Sequence, residues 1–222
     1  MTPGSYAEPI QEHYALPATQ LPVTAKPTFT PNKNTGHQKA TPGKNRTQLR
    51  VLKEKSDKYG RLVSTSSCDR NDSWFFYTGI YLLSIGYVLP NCFFEEKELY
   101  QVQKSALRAF LAKSGYNRNT NRLIVFAPIR FGGCGFTPLY GLQGEGQIIQ
   151  FITHWRTRTT VGDLLRVAVA WVQLHLGTSW FFLADPIIPL PHFPGRWLKS
   201  LRQFLARING SFEVDSYFLP PI

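Results

Sequence analysis

The sequence predicts a mostly α-helical protein with a disordered N-terminal tail. Two patterns support this: apolar residues recur three and four apart in several stretches after residue 45, and seven of the 16 prolines fall within residues 1–45. The first pattern places apolar side chains on one face of a helix. The second leaves too little apolar surface to offset the entropy lost on ordering. We expect a helical bundle of about six helices, with a short strand and a glycine-rich turn in its middle.

The composition is that of a basic, folded protein. The chain has 25 Lys and Arg against 14 Asp and Glu, a formal net charge of +11, and 43% of its residues are hydrophobic. Such a charge favours polyanionic partners. The three cysteines, Cys68, Cys92 and Cys134, form no C-x-x-C pair, and no signal-peptide pattern precedes Lys26. This usage favours an intracellular protein, nuclear or cytoplasmic and not secreted.

Residues 46–116 are predicted to form a three-helix bundle. The first helix begins at Arg46 and is amphipathic with a basic outer face. The second is capped by Asp72 or Ser73 and ends before Pro90, because the residue preceding a proline disfavours helical geometry. The third covers Glu95–Gly115, with acidic residues in its first turns and a glycine at its end.

The apolar second helix is the one place where a membrane span could be argued. Trp74–Leu89 has 16 residues, includes Thr78 and Gly79, and lacks a basic flank. A bilayer needs about 20 apolar residues. We therefore interpret the segment as a buried core helix and predict no membrane association.

Residues 117–222 are predicted to form a C-terminal helical region. It opens with a strand at Arg122–Pro128 and a turn at Gly132, Gly133 and Gly135. The prolines of Asp185–Pro194 impose an extended crossing between the last two helices. The three helices are expected at Leu142–Arg158, Val161–Leu176 (capped by Thr160) and Arg196–Ile208 (closed by Gly210).

No pattern in the chain indicates a catalytic residue, a cofactor or a metal site. The histidines and cysteines lie too far apart in sequence for a zinc motif, and the glycines match no phosphate-binding loop. Metal-dependent nucleotidyl transfer needs at least two carboxylates that converge on a cation. No two aspartates are adjacent.

Charge placement is the strongest functional signal. No acidic residue occurs from Leu99 to Gly144, a stretch with six Lys and Arg. The stretch also contains Asn and Thr residues. Cations, amides and hydroxyls commonly contact the phosphate and sugar oxygens of nucleic acids. The alternative is a basic surface that is only solvated. The predicted nucleic-acid contacts are Lys104, Arg108, Lys113, Asn117, Arg118, Asn119, Thr120, Arg122 and Arg130, with a second cluster at His154, Arg156 and Arg158.

The ordered part, from about Thr47 to Ile222, resembles the region downstream of the palm in reverse transcriptases of non-LTR (LINE-like) retrotransposons, of the kind abundant in microalgal genomes. Each matching stretch is short, and the resemblance depends on their order and spacing. The stretches are Ser73–Pro90, Tyr116–Arg122 (YNRNTNR), Val125–Phe136 (VFAPIRFGGCGF), Leu139–Arg156 and Leu190–Gly210.

The resemblance implies that Gln48–Gly115 is a thumb that holds an RNA/DNA duplex and that residues 117–122 face the nucleic acid. Gly132, Gly133 and Gly135 match the family's Gly-Gly-x-Gly turn, with Cys134 where an aliphatic residue is usual. The resemblance also covers a pattern without an assigned role, made by Gln143, Gly144, Gln147, His154 and Arg156.

The fingers, palm and paired metal-binding aspartates of that family would precede Gln48, where this chain has a Pro-rich segment. We therefore expect a truncated, non-catalytic fragment that binds the backbone of nucleic acid and does not extend a primer by itself. Two alternatives remain open. One is a helical protein-interaction module that uses aromatic residues around Trp74, Phe75 and Phe76, and the other is a decayed open reading frame without function.

Disorder of residues 1–45 is testable by limited proteolysis. Trypsin should cleave after Lys33, Lys39 and Lys44 well before it cleaves within residues 73–114, because an unfolded segment enters a protease site without prior opening. Equal resistance of both regions on a mass-spectrometric time course would contradict the predicted boundary.

Overall fold

The computed structural model describes residues 46–178 and 180–213, together with two short strands nearer the N-terminus. The strands β1 (Asn32–Asn34) and β2 (His37–Lys39) pair antiparallel. The rest of the predicted disordered tail lies outside the described residues. The α-helices are α1 (Arg46–Thr65), α2 (Arg70–Phe75), α3 (Leu83–Gly86), α4 (Glu96–Lys113), α5 (Arg122–Phe126), α6 (Leu139–Arg156), α7 (Thr160–Leu176) and α8 (Arg196–Ile208).

The predicted mostly helical class is confirmed. The third predicted helix, α4, begins with a reciprocal capping box in which Glu95 and Glu98 each accept from the other's backbone N–H, so two otherwise unpaired donors are satisfied. Helix α7 is capped by Thr159 rather than by Thr160, and Gly177 closes it in the left-handed conformation. Helix α8 is closed by Asn209, also left-handed, one residue before the predicted Gly210.

The second predicted helix runs from α2 through a π-helical segment (Phe76–Leu82) into α3. Its N-cap is Asp69, not Asp72 or Ser73: the Asp69 carboxylate accepts from the Asp72 N–H at 2.8 Å. Among the described residues, no helix is both long and apolar enough to cross a membrane.

The predicted strand at Arg122–Pro128 is wrong: the segment forms the short helix α5. The Asn121 carboxamide starts the helix by accepting from the Leu123 N–H at 2.9 Å. At its end the carbonyls of Ile124 and Val125 accept from the N–H groups of Cys134 and Phe136 at 2.9 and 3.1 Å. The glycine turn folds back and satisfies these carbonyls, so the apolar run needs no strand partner.

A first hydrophobic cluster joins α1, the second helix, α4, α5 and the start of α6. Helix α1 lies so close to α4 that a Cβ on Gly60 would stand 3.2 Å from the Ala106 backbone. At the centre, the rings of Tyr77 and Tyr81 stack with centroids 5.7 Å apart. Burial raises the pKa of both phenols well above the usual value. The cluster takes in residues beyond 116, so the predicted C-terminal region does not pack separately from the three-helix bundle.

A second hydrophobic cluster joins the end of α6 with α7, α8 and residues 182–183. The buried Arg202 side chain holds the connection between α7 and α8, where its guanidinium donates to the carbonyls of Phe182, Asp185 and Ile188 at 2.6–2.8 Å. Partial desolvation lowers the pKa of Arg202. Helix α6 contributes to both clusters and connects them.

The packing of α6 predicts opposite effects for two glycines in that helix. A Cβ on Gly144 would lie 2.2 Å from the Phe204 ring, whereas one on Gly141 meets only Pro138 at an ordinary 3.4 Å. Gly144→Ala should therefore lower the free energy of unfolding by about 1–3 kcal/mol through overpacking.

Gly141→Ala is the matched control and should be neutral or slightly stabilising, since Ala favours helices over Gly by up to about 1 kcal/mol. Urea unfolding followed by circular dichroism measures both variants. Equal stability of the two would contradict the close contact of α6 with α8.

Candidate nucleic-acid interface

The outer face of α4 carries a row of cations. Lys97, Lys104 and Arg108 are seven and four residues apart, so they share one face of the helix. Lys97 and Arg108 are exposed and Lys104 is half-buried. We call these three residues the α4 basic face. Sequence reasoning missed Lys97, because it lies among the acidic residues of the first turn rather than within the acid-free stretch.

The linker that precedes α5 (residues 117–121) is held against α4 by Arg122, the first residue of α5. The Arg122 Nε donates to the Tyr100 hydroxyl at 3.3 Å, and its Nη2 donates to the Arg118 carbonyl at 3.4 Å. Tyr100 is one turn from Lys104, so the linker borders the α4 basic face. The exposed Arg118 side chain therefore adds a fourth cation to this region.

The polar residues of the linker mainly shape the chain. The Asn117 carboxamide accepts from the Asn119 N–H at 2.8 Å, and the Thr120 hydroxyl donates to the Asn117 carbonyl at 2.7 Å. Both bonds are local and define a turn. Asn117 and Asn119 are exposed, and Thr120 is half-buried.

Two of the predicted cations have contacts within the fold. The Lys113 ammonium donates to the Ser66 carbonyl just after α1, at 2.6 Å. The exposed Arg130 guanidinium lies 4.7 Å from the ring centroid of Phe131. Lys113 therefore ties α4 to the end of α1, while Arg130 remains at the surface of the glycine turn.

The second predicted cluster lies apart from the α4 basic face. His154 and Arg156 are in the last turn of α6, and Arg158 follows that helix. The other end of α6 is held to α4, where the Leu139 N–H donates to the Gln103 carboxamide. At about 1.5 Å per residue these ends are roughly 25 Å apart. His154, Arg156 and Arg158 therefore lie at the end of α6 opposite to its contact with Gln103.

A groove between α1 and α4 borders the α4 basic face on the side away from the linker. It has a volume of about 540 Å³ and is lined in part by Glu54, Asp57 and Arg61. The Asp57 carboxylate accepts a hydrogen bond from Ser105 of α4. Carboxylates therefore flank α4 on the side of this groove, and the positive charge is greater on the side of the linker.

The glycine turn is a rigid structural feature. Gly132 and Gly135 have φ angles of +78° and +74°, values that side chains disfavour. A Cβ on Gly133 would lie 2.0 Å from the Ala127 carbonyl oxygen. Cys134 is buried against this turn, and the low polarity there raises the pKa of its thiol.

No known protein family, curated protein or solved structure matches the chain.

Three residues of the pattern without an assigned role have clear packing contacts. The buried Gln143 carboxamide accepts from the Phe94 N–H at 3.2 Å and donates to the Phe94 carbonyl at 3.0 Å. One helical turn later, Gln147 donates to the Cys92 carbonyl at 2.7 Å. Gly144 lies between these two glutamines in sequence, and its lack of a Cβ leaves space for the Phe204 ring. These residues hold the segment before α4 onto α6, a role that sequence spacing does not reveal.

The contacts of Lys113 and Lys104 predict different effects on stability. Lys113→Met should lower the free energy of unfolding by about 1–2 kcal/mol, because it removes a charge-assisted hydrogen bond to Ser66. Lys104→Met, on the same helix and also half-buried, should change it by less than about 0.5 kcal/mol. Thermal unfolding of both variants measures the difference, and an equal loss would place Lys104 among the residues that the fold requires.

Proposed function

We propose that the chain is a non-catalytic module that binds the phosphate backbone of a nucleic-acid duplex through the α4 basic face and Arg118. The observation that carries the proposal is the placement of these cations on one side of α4, bordered by the linker that Arg122 holds in place. The resemblance to the thumb region of non-LTR retrotransposon reverse transcriptases supports the same partner, an RNA/DNA duplex.

The geometry suits contact with a backbone rather than with bases. Lys97 and Arg108 lie roughly 16 Å apart along the helix axis, a length over which a duplex presents several phosphates. Lys and Arg contacts to phosphate fix the position of a duplex without reading its sequence. Binding of this kind releases counterions, so the affinity falls steeply with salt.

Removal of the cations should change the salt dependence by a predictable amount. For the triple variant Lys104→Ala, Arg108→Ala, Arg118→Ala, the slope of log affinity against log salt should shrink by about 0.7–0.9 for each residue. Fluorescence anisotropy with one labelled RNA/DNA hybrid at three salt concentrations measures this slope. A second hybrid of unrelated sequence should lose affinity to the same extent.

The matched control removes three exposed lysines elsewhere, with Lys53→Ala, Lys58→Ala and Lys199→Ala. It has the same net charge as the triple variant, so a general charge effect would shrink both slopes equally and contradict the proposed interface. Arg122 is left in place in both variants, because its contacts with Tyr100 and Arg118 shape the linker. Circular dichroism checks that both variants remain helical.

A second candidate function is protein interaction, and the exposed apolar residues of the second helix favour it. Phe75, Leu83 and Tyr87 are 70%, 68% and 71% exposed. Of the three aromatic residues named from the sequence, Trp74 and Phe76 pack against the first cluster instead. This candidate predicts that the parent chain binds neither hybrid at any salt concentration, and the same titration separates it from the first.

A further inference from the structure

A small pocket lies between α2, the end of α4 and the turn after α5. Its volume is about 210 Å³, and Arg70, Asn71, Trp74, Ser114, Tyr116 and Ile129 line it. Pockets for drug-sized molecules hold about 300–1,000 Å³, whereas a cavity of about 150 Å³ admits benzene. The pocket therefore suits one flat ring system rather than a larger molecule.

Two aromatic side chains of the pocket are held in position by the core. Trp74 packs edge-to-face on Phe136 at 5.3 Å between ring centroids, and Tyr116 packs on the same ring at 6.4 Å. The Arg70 guanidinium lies 5.6 Å from the Tyr116 ring centroid, and its Nη2 donates to the Tyr116 hydroxyl at 3.3 Å. The pocket thus combines rings with a cation and an amide at its rim.

One polar group of the pocket is buried without a partner. Ser114 is 3% exposed, and its hydroxyl makes no hydrogen bond to any of the described residues. Buried hydroxyls are normally paired, because an unpaired one loses its bonds to water without compensation. The hydroxyl is closed to solvent as it lies, so a molecule in the pocket supplies its partner only if the side chain turns about χ1 toward the pocket.

The pocket also adjoins the proposed interface. Tyr116 directly precedes the linker that carries Arg118, and Ile129 directly precedes the exposed Arg130. Arg118 and Arg130 thus follow two lining residues closely in sequence, and we infer that they contact phosphates next to a ligand in the pocket. A nucleotide base within a strand has this combination of a flat polar ring and flanking negative charge.

We propose that this pocket receives one unpaired nucleobase of a bound strand, an inference that rests on the proposed nucleic-acid binding. Trp74 and Tyr116 provide the ring contacts, and Arg70 lies near the phosphate. Asn71 pairs with a polar edge of the base, as does Ser114 once its side chain has turned toward the pocket. Unstacked bases are recognised on aromatic and Arg side chains in this way. The base pocket adds a preference for duplexes with an unpaired nucleotide to the backbone binding of α4.

A substitution that fills the pocket tests this proposal. Ile129 is 66% exposed and lines the pocket, and Ile149 on α6 is 65% exposed and does not. Ile129→Trp should therefore block the pocket, and Ile149→Trp is the matched control. The probes are a blunt RNA/DNA hybrid and the same hybrid with one unpaired 2-aminopurine, whose fluorescence falls when it stacks on an aromatic ring.

The parent chain should bind the hybrid with the unpaired base roughly tenfold more tightly than the blunt hybrid, with quenching of the 2-aminopurine. Ile129→Trp should abolish this difference without changing the affinity for the blunt hybrid, and Ile149→Trp should change neither. Ser114→Ala should weaken the preference without lowering the melting temperature, because it removes a buried hydroxyl that is unpaired in the free protein. Equal affinity of the parent for both hybrids would overturn the base pocket and leave backbone binding intact.

A titration with adenosine monophosphate separates failure of the pocket from failure of the proposed function. If the parent binds neither hybrid, a saturable shift of one indole N–H signal with the mononucleotide, absent in Ile129→Trp, would support the pocket while rejecting the duplex interface. Absence of any such shift would overturn the base pocket as well.

Discussion

Hydrogen bonds from buried side-chain amides to the backbone of connecting segments are the constraint on which the rest of the structure depends. Gln103 of α4 donates to the Thr137 carbonyl and accepts from the Leu139 N–H. Gln143 and Gln147 of α6 pair with the backbone of Phe94 and Cys92. Each bond satisfies a backbone group that has no partner within a helix, either in a connecting segment or at the first residue of α6, and that would be costly to leave unpaired.

These bonds also decide where the candidate interface lies. Gln103 fixes the start of α6 beside α4. The chain between the end of α4 and the start of α6 must therefore fold back to α4, and it does so through α5 and the glycine turn. That return brings Arg122 to Tyr100 and leaves Arg118 beside the α4 basic face. The same return places Ile129 opposite Trp74 and Ser114, which creates the base pocket. Both proposed sites thus follow from one connection.

Local sequence patterns predicted the helices whose ends and faces are marked by their own residues. Helix α8 has its predicted bounds, and α4 has the expected acidic start and a left-handed Gly115 after its end. The pattern failed at Arg122–Phe126, because an apolar run of five residues fits a strand or a buried helix equally well. There the deciding bonds come from Cys134 and Phe136, residues that lie well outside the run.

The sequence predicted that the candidate interface is positively charged, but it did not predict which cations are held by contacts within the fold. The acid-free stretch pointed to α4, but it could not distinguish Lys113, which bonds to Ser66, from Lys104, and it excluded Lys97. The distinction depends on where α1 ends in space, a tertiary feature without a local signal. Buried glutamines are similarly hard to recognise, since Gln in an amphipathic helix usually faces solvent.

The outer surface of α7 sets a limit on what nucleic-acid binding can explain. Val167, Trp171 and Leu174 are 65%, 54% and 72% exposed, while Val169 and Val172 on the opposite side are buried. A helix that is apolar on both sides is normally covered on both, and phosphates cannot cover an apolar surface favourably. The proposed backbone binding would account for the cations of α4 and the linker, but it gives no role to the exposed apolar face of α7.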